Sequence, residues 1–315
     1  MFDTPTLVSQ IQKPCIWAIG GGKGGVGKSV ITANMAIHLA RTGKRCVAMD
    51  ADLGGANLHT VIGMPTPEYT LTDFLRRKVP NLSDIMAPTP IPNLWLISGS
   101  KALMEMANPK FTQKEKIIRH LHSLDVDYIL LDLGSGTAFN ILDFFLVAQE
   151  GILVVLPEPT SVENVYHFIK AAFYRKLKRA TRKSGVTLAV DKAMEEKIAR
   201  GIQSPRTLIK NVFEIDPEAG RALQKEADNF HPNIIINQLR KFDEKDLGKN
   251  ISLACRDYFG IDIRPLGTID EDECVRKAVR LKKPVIDAYA ACPFSHTIHG
   301  IVRKLILSTR EVPLE

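Results

Sequence analysis

The chain has 315 residues, of which 45% are hydrophobic and 24% are charged. These fractions are typical of a soluble globular protein, and they exclude a disordered, collagen-like or low-complexity chain. The formal net charge of +7 favours acidic partners, although charge alone identifies none of them.

The sequence carries no sign of export or membrane insertion. Its N-terminus lacks the basic and apolar regions of a signal peptide, and its longest apolar runs, such as 152–156, are far shorter than the ~20 residues that cross a bilayer. The five cysteines include no CxxC pair, so we expect buried thiols and no cysteine-based metal site. We therefore predict a cytoplasmic protein without a transmembrane segment, peripheral at the membrane at most.

Short apolar runs alternate with amphipathic stretches along the chain. The runs are continuously apolar, which is typical of strands covered on both faces. Their alternation with helices predicts a doubly wound, mainly parallel α/β sheet of seven or eight strands with helices on both faces. In chain order, the predicted elements are strand Cys15–Gly20, helix Lys28–Thr42, strand Arg45–Asp50, strand Leu94–Ser98, helix Gln113–Leu124, strand Tyr128–Asp132, helix Asn140–Gln149, strand Gly151–Leu156, helix Ser161–Arg179, strand Asn233–Asn237, helix Glu244–Phe259, a weaker strand Leu266–Ile269, helix Glu271–Lys282 and helix Ser295–Leu307.

The alternation lapses between Leu177 and His231. We interpret about 177–231 as a helical insertion, charged and mostly solvated, within a single domain that spans residues 1–315. Residues 170–212 hold twelve Lys or Arg residues against three acidic ones. This basic region is either a solvated helix face or a surface that contacts DNA, anionic membrane lipid or an acidic protein.

The segment Gly22–Ser29 fits the pattern G-x-x-x-x-G-K-[ST]. It follows a predicted strand and opens a predicted helix, which is the context that a phosphate-binding loop requires. Its glycines allow backbone N–H groups to turn towards phosphate oxygens, and the helix N-terminus adds a favourable dipole. We expect Lys28 on the β- and γ-phosphates and the Ser29 hydroxyl on Mg²⁺. The sequence thus predicts a nucleotide site that uses Mg²⁺.

Carboxylates follow two of the predicted strands at the edge where a doubly wound sheet binds its ligands. Asp50 and Asp52 lie at the end of one strand, and Asp132 ends another. A carboxylate in this position can reach Mg²⁺ directly or through water, so Asp50 and Asp132 join Ser29 as predicted metal-site residues. The alternative role for either carboxylate is to cap a helix or form a turn.

Lys23 adds a second lysine to the phosphate loop, and the string from Lys23 to Ser29 is the deviant Walker A signature. In this respect the chain resembles the MinD/ParA family of P-loop ATPases, which are P-loop NTPases of the SIMIBI type. The resemblance implies binding and hydrolysis of ATP and a homodimer in the ATP state. It also implies that Lys23 reaches across the dimer interface to the nucleotide of the other subunit.

The resemblance assigns roles to further residues. Asp52 matches the switch I aspartate that orients the attacking water, so Lys23, Lys28 and Asp52 are the expected catalytic residues. Asp132 matches the switch II aspartate near Mg²⁺, and Asn237 matches the asparagine that contacts adenine. The expected nucleotide contacts are Gly22, Lys23, Gly24, Gly25, Val26, Gly27, Lys28, Ser29, Ile31 and Asn237.

Within that family, the chain is similar to the FlhG/FleN-type flagellar-number regulators, chiefly through residues 50–57 and 157–161. This branch implies slow ATP hydrolysis, stimulation by a protein partner, and control over the placement or number of flagella or of another cell-surface machine. The proline of the family's late IPxD loop is replaced, since Ile269–Asp272 occupies that stretch. Only residues 308–315 follow the last predicted helix, so we do not expect the membrane-targeting helix of MinD.

Three other functions compete with the switch ATPase. A ParA-like partition ATPase would bind DNA non-specifically through the basic region, and a nucleotide-locked scaffold would bind ATP with little turnover. Iron–sulfur carriers share the phosphate loop, but they are disfavoured because no cysteine lies just after Asp132 and no CxxC occurs.

Overall fold

The computed structural model describes residues 13–52, 55–99, 109–183, 205–241 and 243–310. The strands in this part of the chain are β1 (Cys15–Gly20), β2 (Cys46–Asp50), β3 (Ala87–Pro88), β4 (Leu94–Ile97), β5 (Tyr128–Asp132), β6 (Glu150–Val155), β7 (Asn233–Leu239) and β8 (Arg264–Asp270). The helices are α1 (Lys28–Arg41), α2 (Leu58–Ile62), α3 (Leu71–Leu75), α4 (Phe111–Leu121), α5 (Phe139–Phe145), α6 (Pro159–Lys183), α7 (Pro205–Ile215), α8 (Pro217–Asp228), α9 (Leu247–Phe259), α10 (Glu273–Arg280), α11 (Val285–Ala288) and α12 (Pro293–Arg310).

The strands form an eight-stranded sheet within the described residues, in the order β3-β4-β2-β5-β1-β6-β7-β8. Every neighbouring pair is parallel except β3 and β4, which are antiparallel. The predicted doubly wound, mainly parallel sheet is therefore confirmed. The edge strand β3 was not predicted, because two residues in a proline-rich connection carry no periodic signal.

The sheet is covered by a hydrophobic layer on each face. In β1, Ile16 and Ala18 belong to one layer, whereas Trp17 and Ile19 belong to the other, and all four are fully buried. Successive strand residues point to opposite faces, so both sets must be apolar. This is why the buried strands read as continuous apolar runs.

The carboxyl ends of the central strands meet at one edge of the sheet. The register pairs Ile19 with Asp132 across β1 and β5, and it pairs Asp50 with Asp132 across β2 and β5. Three loops therefore begin side by side: the one after β1 that contains Gly22–Ser29, the one after β2 and the one after β5. The architecture thus assembles the predicted site residues from segments more than twenty residues apart in sequence.

The predicted insertion at 177–231 is helical where it is described, in the end of α6 and in α7 and α8. Most of its residues with described side chains are exposed or half-buried, and the others form a buried apolar face. Besides Leu177 and Ala180 of α6, five side chains between Pro205 and His231 are buried in the same core layer: Ile209, Val212, Ala219, Leu223 and Phe230. Residues 184–204 of the predicted insertion lie outside the described residues.

The last helix packs on the sheet. Ile298, Ile301, Val302 and Leu305 of α12 are buried, in the layer that also holds the apolar face of α1. Among the helices of the described ranges, none combines the length and the apolarity that crossing a bilayer requires.

Candidate nucleotide-binding site

The loop between β1 and α1 has a shape that only glycine permits at two of its positions. Gly27 has φ +95°, and a Cβ at this residue would lie 2.4 Å from Nδ2 of Asn237. At Gly22, a Cβ would lie 2.4 Å from the carbonyl oxygen of Asn164. Side chains are thus excluded from the loop on both flanks, which leaves its backbone N–H groups accessible to an anion.

Lys28, the first residue of α1, points back into this loop. Its Nζ donates a hydrogen bond to the carbonyl oxygen of Lys23 at 3.3 Å, and only 8% of the residue is exposed. Burial lowers the pKa of Lys28, and the charges of Asp132 and Asp52 oppose that effect. A partly desolvated ammonium group inside a glycine-lined loop at a helix N-terminus suits the phosphates of a nucleotide.

Asp50 and Asp132 are buried carboxylates on neighbouring strands, 1% and 2% exposed. Burial, followed by the charge of Asp50, raises the pKa of Asp132 to about 8, although hydrogen bonding with Ser29 and the charge of Lys28 act in the opposite direction. Burial also raises the pKa of Asp50 to about 6, against hydrogen bonds from backbone amides. Two carboxyl groups that repel each other in a buried place are a favourable environment for a divalent cation.

The donor set at this place fits Mg²⁺, which prefers hard oxygen ligands and retains several waters. Hydrogen bonding with Ser29 lowers the pKa of Asp132, so the Ser29 hydroxyl and the Asp132 carboxylate are close enough to be candidate ligands of one ion. Both oxygens of Asp50 accept backbone N–H groups, from Asp52 at 3.1 Å and from Leu58 at 2.9 Å. Asp50 therefore also anchors the segment after β2, and its contact with Mg²⁺ would be through water or through a remaining lone pair.

Asp52 lies between the loops that follow β2 and β5. A Cβ built on Gly134 would be 3.3 Å from the Asp52 carboxyl carbon, and one built on Gly55 would be 3.6 Å from its Oδ2. Because the charge of Asp52 also acts on Lys28, the carboxylate is near the phosphate end of the site. Residues 53 and 54 of the matched switch I segment are outside the described ranges.

Lys23 forms an ion pair within its own chain. Its Nζ lies 3.0 Å from Oε2 of Glu158, and the two side chains are 41% and 51% exposed. An exposed pair of this kind contributes only about 0–1 kcal/mol. The pair can therefore be exchanged for another anion at little free-energy cost.

A pocket of about 430 Å³ opens beside the glycine loop. Its lining includes Gly27, Asn237 and Gln238, together with Val275 and Val279 of α10. Asn237 is 6% exposed, and its Nδ2 donates to the Val26 carbonyl oxygen at 2.8 Å, so this amide both supports the loop and borders the space for a base.

Ile31, an expected nucleotide contact, is fully buried in the core. Its neighbour Val30 lines the pocket, and Val30 is therefore the residue placed to touch a base.

The sequence reasoning missed Glu158 and Gln238 as site residues. Glu158 follows the apolar run of β6, so the strand-end rule that selects Asp50 and Asp132 could have found it. Gln238 has φ +58° at a register shift between β7 and β8, and this backbone strain leaves no sequence signal. In the loop after β8, which replaces the family's IPxD segment, Glu271 pairs with Arg240 and Arg276.

Part of the basic region is neutralised inside the molecule. Arg175 and Arg179 of α6, together with Lys114 of α4, surround Asp143 of α5, whose side chain is 2% exposed. Lys176 pairs with Glu226 at 3.0 Å. Three cations of the densest basic run, 174–183, thus stabilise helix packing.

The chain is similar to known P-loop proteins in sequence and in fold. A family model described as "ParA: NUBPL iron-transfer P-loop NTPase" matches residues 13–180. The antiactivator FleN of Pseudomonas aeruginosa is 26% identical over 290 residues, which are 91% of this chain and 85% of FleN. The flagellum site-determining protein YlxH of Helicobacter pylori is 32% identical over 162 residues, which are 49% of this chain and 52% of YlxH.

Among solved structures, the septum site-determining protein MinD of Pyrococcus horikoshii, complexed with Mg-ADP, matches with a TM-score of 0.64 and 20% identity. The match covers 96% of this chain and 100% of that MinD chain. The likeness to MinD is one of fold.

Proposed function

This chain belongs to the MinD/ParA family of P-loop NTPases and resembles its FlhG/FleN branch, and on that premise we propose that it is a switch ATPase. It hydrolyses ATP to ADP and phosphate, and its ATP-bound form is a homodimer. The observation that carries the proposal is the convergence of Lys28, Asp132 and Asp52 on one glycine-lined loop. A phosphate cradle, a site for Mg²⁺ and a carboxylate for the attacking water are the parts that phosphoryl transfer needs.

In the proposed mechanism, residues of one chain bind the phosphates and Mg²⁺ and position the attacking water. The loop N–H groups and Lys28 hold the β- and γ-phosphates, and Asn237 and Val30 border the base. Ser29 and Asp132, assisted by Asp50, would hold Mg²⁺, which would supply positive charge against the phosphate oxygens. Asp52 accepts a hydrogen bond from a water and orients its oxygen towards the γ-phosphorus. As the water attacks, the bond from the γ-phosphorus to the bridging oxygen breaks, and ADP and phosphate leave.

Within its own subunit, Lys28 extends into the loop, whereas the Lys23 side chain points to Glu158. Its weak ion pair with Glu158 keeps the ammonium group near the site edge of the sheet. We infer that, in the ATP state, Lys23 exchanges Glu158 for the nucleotide of the facing subunit. The added positive charge stabilises the transition state there, so hydrolysis is coupled to dimer formation.

Two relatives support a proposal for the biological output. YlxH is named as a flagellum site-determining protein, and FleN is named as an antiactivator. One name describes the placement of flagella and the other describes action against an activator. The proposed output is therefore nucleotide-dependent binding of a protein partner that controls the placement or number of flagella or of a comparable cell-surface machine. Hydrolysis is expected to be slow until that partner binds.

Binding of DNA or of an anionic membrane surface through 170–212 is the alternative output. The pairs of Arg175 and Arg179 with Asp143 and of Lys176 with Glu226 weigh against it, because they occupy cations that would contact phosphates. Pelleting with random-sequence DNA, or with vesicles of anionic lipid, separates these cases. ATP-dependent DNA binding that disappears at high salt would favour a partition ATPase over a flagellar switch.

Phosphate release from the wild-type chain and from Asp52→Ala tests the enzymatic part of the proposal. We expect slow release by the wild type and a loss of about 100-fold or more in Asp52→Ala, with nucleotide affinity retained. Lys28→Ala serves as the control that loses binding itself. Equal background rates in the wild type and in Asp52→Ala would instead identify a nucleotide-locked scaffold.

A further inference from the structure

Two cysteines that are eighteen positions apart meet next to the nucleotide pocket. Asp272 is the N-cap residue of α10, Cys274 lies in its first turn, and Cys292 directly precedes α12. A carboxylate oxygen of Asp272 and the two Sγ atoms all lie within 4.8 Å of one another. Of this pair, Cys292 is buried as expected and Cys274 is half-buried. Folding places the two thiols together because the starts of α10 and α12 lie side by side.

The backbone around this cluster is fixed by hydrogen bonds. Oδ1 of Asp272 accepts from the Cys274 N–H at 2.8 Å, and Oδ2 accepts from the Phe294 N–H at 3.2 Å. The same carboxylate therefore joins the first turns of both helices. The Ser295 hydroxyl donates to the Tyr289 carbonyl oxygen at 2.9 Å. This bond uses the only proton of the Ser295 hydroxyl. In the contact between the Ser295 hydroxyl oxygen and Cys292 Sγ at 3.3 Å, the thiol is therefore the donor.

The Asp272 carboxylate lies against both thiols, since one of its oxygens and the two Sγ atoms are within 4.8 Å of one another. A divalent cation at this place would replace the thiol protons and take the carboxylate as a third ligand.

Two sulfurs and one carboxylate oxygen are donors that Zn²⁺ accepts. Tetrahedral Zn²⁺ with Zn–S bonds of about 2.3 Å separates its sulfurs by roughly 3.8 Å. Because the ligand atoms already lie within 4.8 Å of one another, a small rotation of the side chains is enough to reach this spacing. The peptide N–H groups at the N-termini of α10 and α12 stabilise the net negative charge of such a ligand set. Asp272 and Cys274 are half-buried, which provides a path for the ion and an open fourth position.

We propose that Asp272, Cys274 and Cys292 form a binding site for a thiophilic divalent cation, with Zn²⁺ as the ion that fits best and water as the fourth ligand. The site adjoins the base pocket, since Asp272 and Phe294 both line that pocket. A bound ion would cross-link α10 to α12 and hold the α10 wall of the pocket in place. Formation of the site does not depend on the proposed ATPase activity.

Titration of the untagged, reduced full chain with Co²⁺, in the absence of nucleotide and Mg²⁺, tests this site. We expect one Co²⁺ per chain, with a thiolate-to-cobalt charge-transfer band in the near ultraviolet and the strong visible bands of a tetrahedral complex, all removed by added Zn²⁺. Cys274→Ser and Cys292→Ser should each reduce affinity at least about tenfold and weaken the charge-transfer band. Cys15→Ser, which changes a thiol elsewhere on the sheet, should titrate like the wild type.

Two further measurements keep the result interpretable. Circular dichroism of each variant shows that the fold persists, and Asp272→Asn, which retains a capping side chain, should weaken Co²⁺ binding without unfolding α10. The proposal is overturned if folded, reduced wild type shows no charge-transfer band, or if the band survives in both serine variants. It is also overturned if the reduced chain binds no Co²⁺ and forms a Cys274–Cys292 disulfide on mild oxidation with oxidised glutathione, since the pair would then be a redox element. Because nucleotide is absent, none of these results bears on the ATPase proposal.

Discussion

Single residues determine the shape of the nucleotide site, and Gly27 is a position where only glycine fits. Its φ is +95°, and a Cβ at this position would approach Asn237 to 2.4 Å. Any side chain at Gly27 must therefore both strain the loop and displace Asn237. Gly43 provides a contrast. It has a similar φ of +83°, but a Cβ there would meet nothing within 4 Å.

We predict that Gly27→Ala destabilises the fold by about 1–3 kcal/mol and reduces nucleotide affinity by at least an order of magnitude. Urea unfolding and titration with a fluorescent ATP analogue measure the two effects. Gly43→Ala is the matched control, because it introduces the backbone strain without the collision. It should lose some stability and keep its affinity, and an equal loss of affinity in both variants would contradict the proposed role of Gly27.

The sequence predicts some residues of the site better than others. Lys28 is recognisable from the phosphate-loop pattern, whereas Asp50 and Asp132 are recognisable because each is a carboxylate at the end of an apolar strand, and the sheet register pairs these two. Gln238 and Cys292 are not recognisable, since the left-handed backbone of one and the three-dimensional neighbours of the other depend on how distant segments pack. Contacts of that kind have no local sequence signature.

At the scale of elements, α4, α5 and α6 are held together by one buried carboxylate. Lys114 Nζ lies 2.6 Å from Oδ2 of Asp143, the Arg175 guanidinium binds both carboxylate oxygens, and Arg179 adds a third cation. Burial alone would raise the pKa of Asp143. The hydrogen bonds from Arg175 and Lys114, with the charges of Arg179 and Arg175, outweigh burial and hold the pKa below its ordinary value of 3.8.

We predict that Asp143→Asn lowers the free energy of unfolding by about 3–5 kcal/mol, because three cations are left around a neutral side chain. Urea unfolding at neutral pH measures this change. Glu226→Gln removes the partner of Lys176 at a more exposed place, so it should change stability by no more than about 1 kcal/mol. Similar small changes in both variants would show that Asp143 does not join the three helices.

The same carboxylate predicts how stability depends on pH. The pKa of Asp143 is lower in the folded chain than in the unfolded chain, so unfolding takes up a proton at acidic pH. Its stabilising contribution is complete above the unfolded value near 3.8 and is lost as the pH falls through the folded-state pKa. Unfolding free energies measured from pH 5 downwards, a range chosen to bracket about 3.8, should fall steeply in the wild type and less steeply in Asp143→Asn. Parallel curves would contradict this assignment.

The strands of the sheet could be predicted from the sequence, whereas the packing of the helices could be predicted only in part. Long apolar strands such as β5 and β6 are specified by their composition, and the predicted bounds differ by at most one residue at each end. The helices α7 and α8 were recognised as helical, but their buried face was hidden by the surrounding charge. Asp216 caps α8 and Pro217 opens it, so the local start signal was present even though the packing partner was not visible.

At the scale of the whole molecule, one edge of the sheet carries the phosphate loop, Asp52, Lys23 and the base pocket. Lys23 pairs with Glu158 within its own chain, and Lys28 extends into the loop. In the proposed switch, Lys23 therefore completes the site of a second copy of the chain that faces the first. ATP is expected to join the two copies, and hydrolysis is expected to separate them.

Mass in solution tests this joining by ATP most directly. Light scattering with Mg²⁺ and a slowly hydrolysed ATP analogue should give about twice the 35.0 kDa of one chain for the wild type, and a single chain with ADP. Lys23→Ala should bind the analogue with unchanged affinity and remain a monomer. A wild type that binds the analogue and stays monomeric, or a Lys23→Ala variant that dimerises as well as the wild type, would contradict the proposed switch.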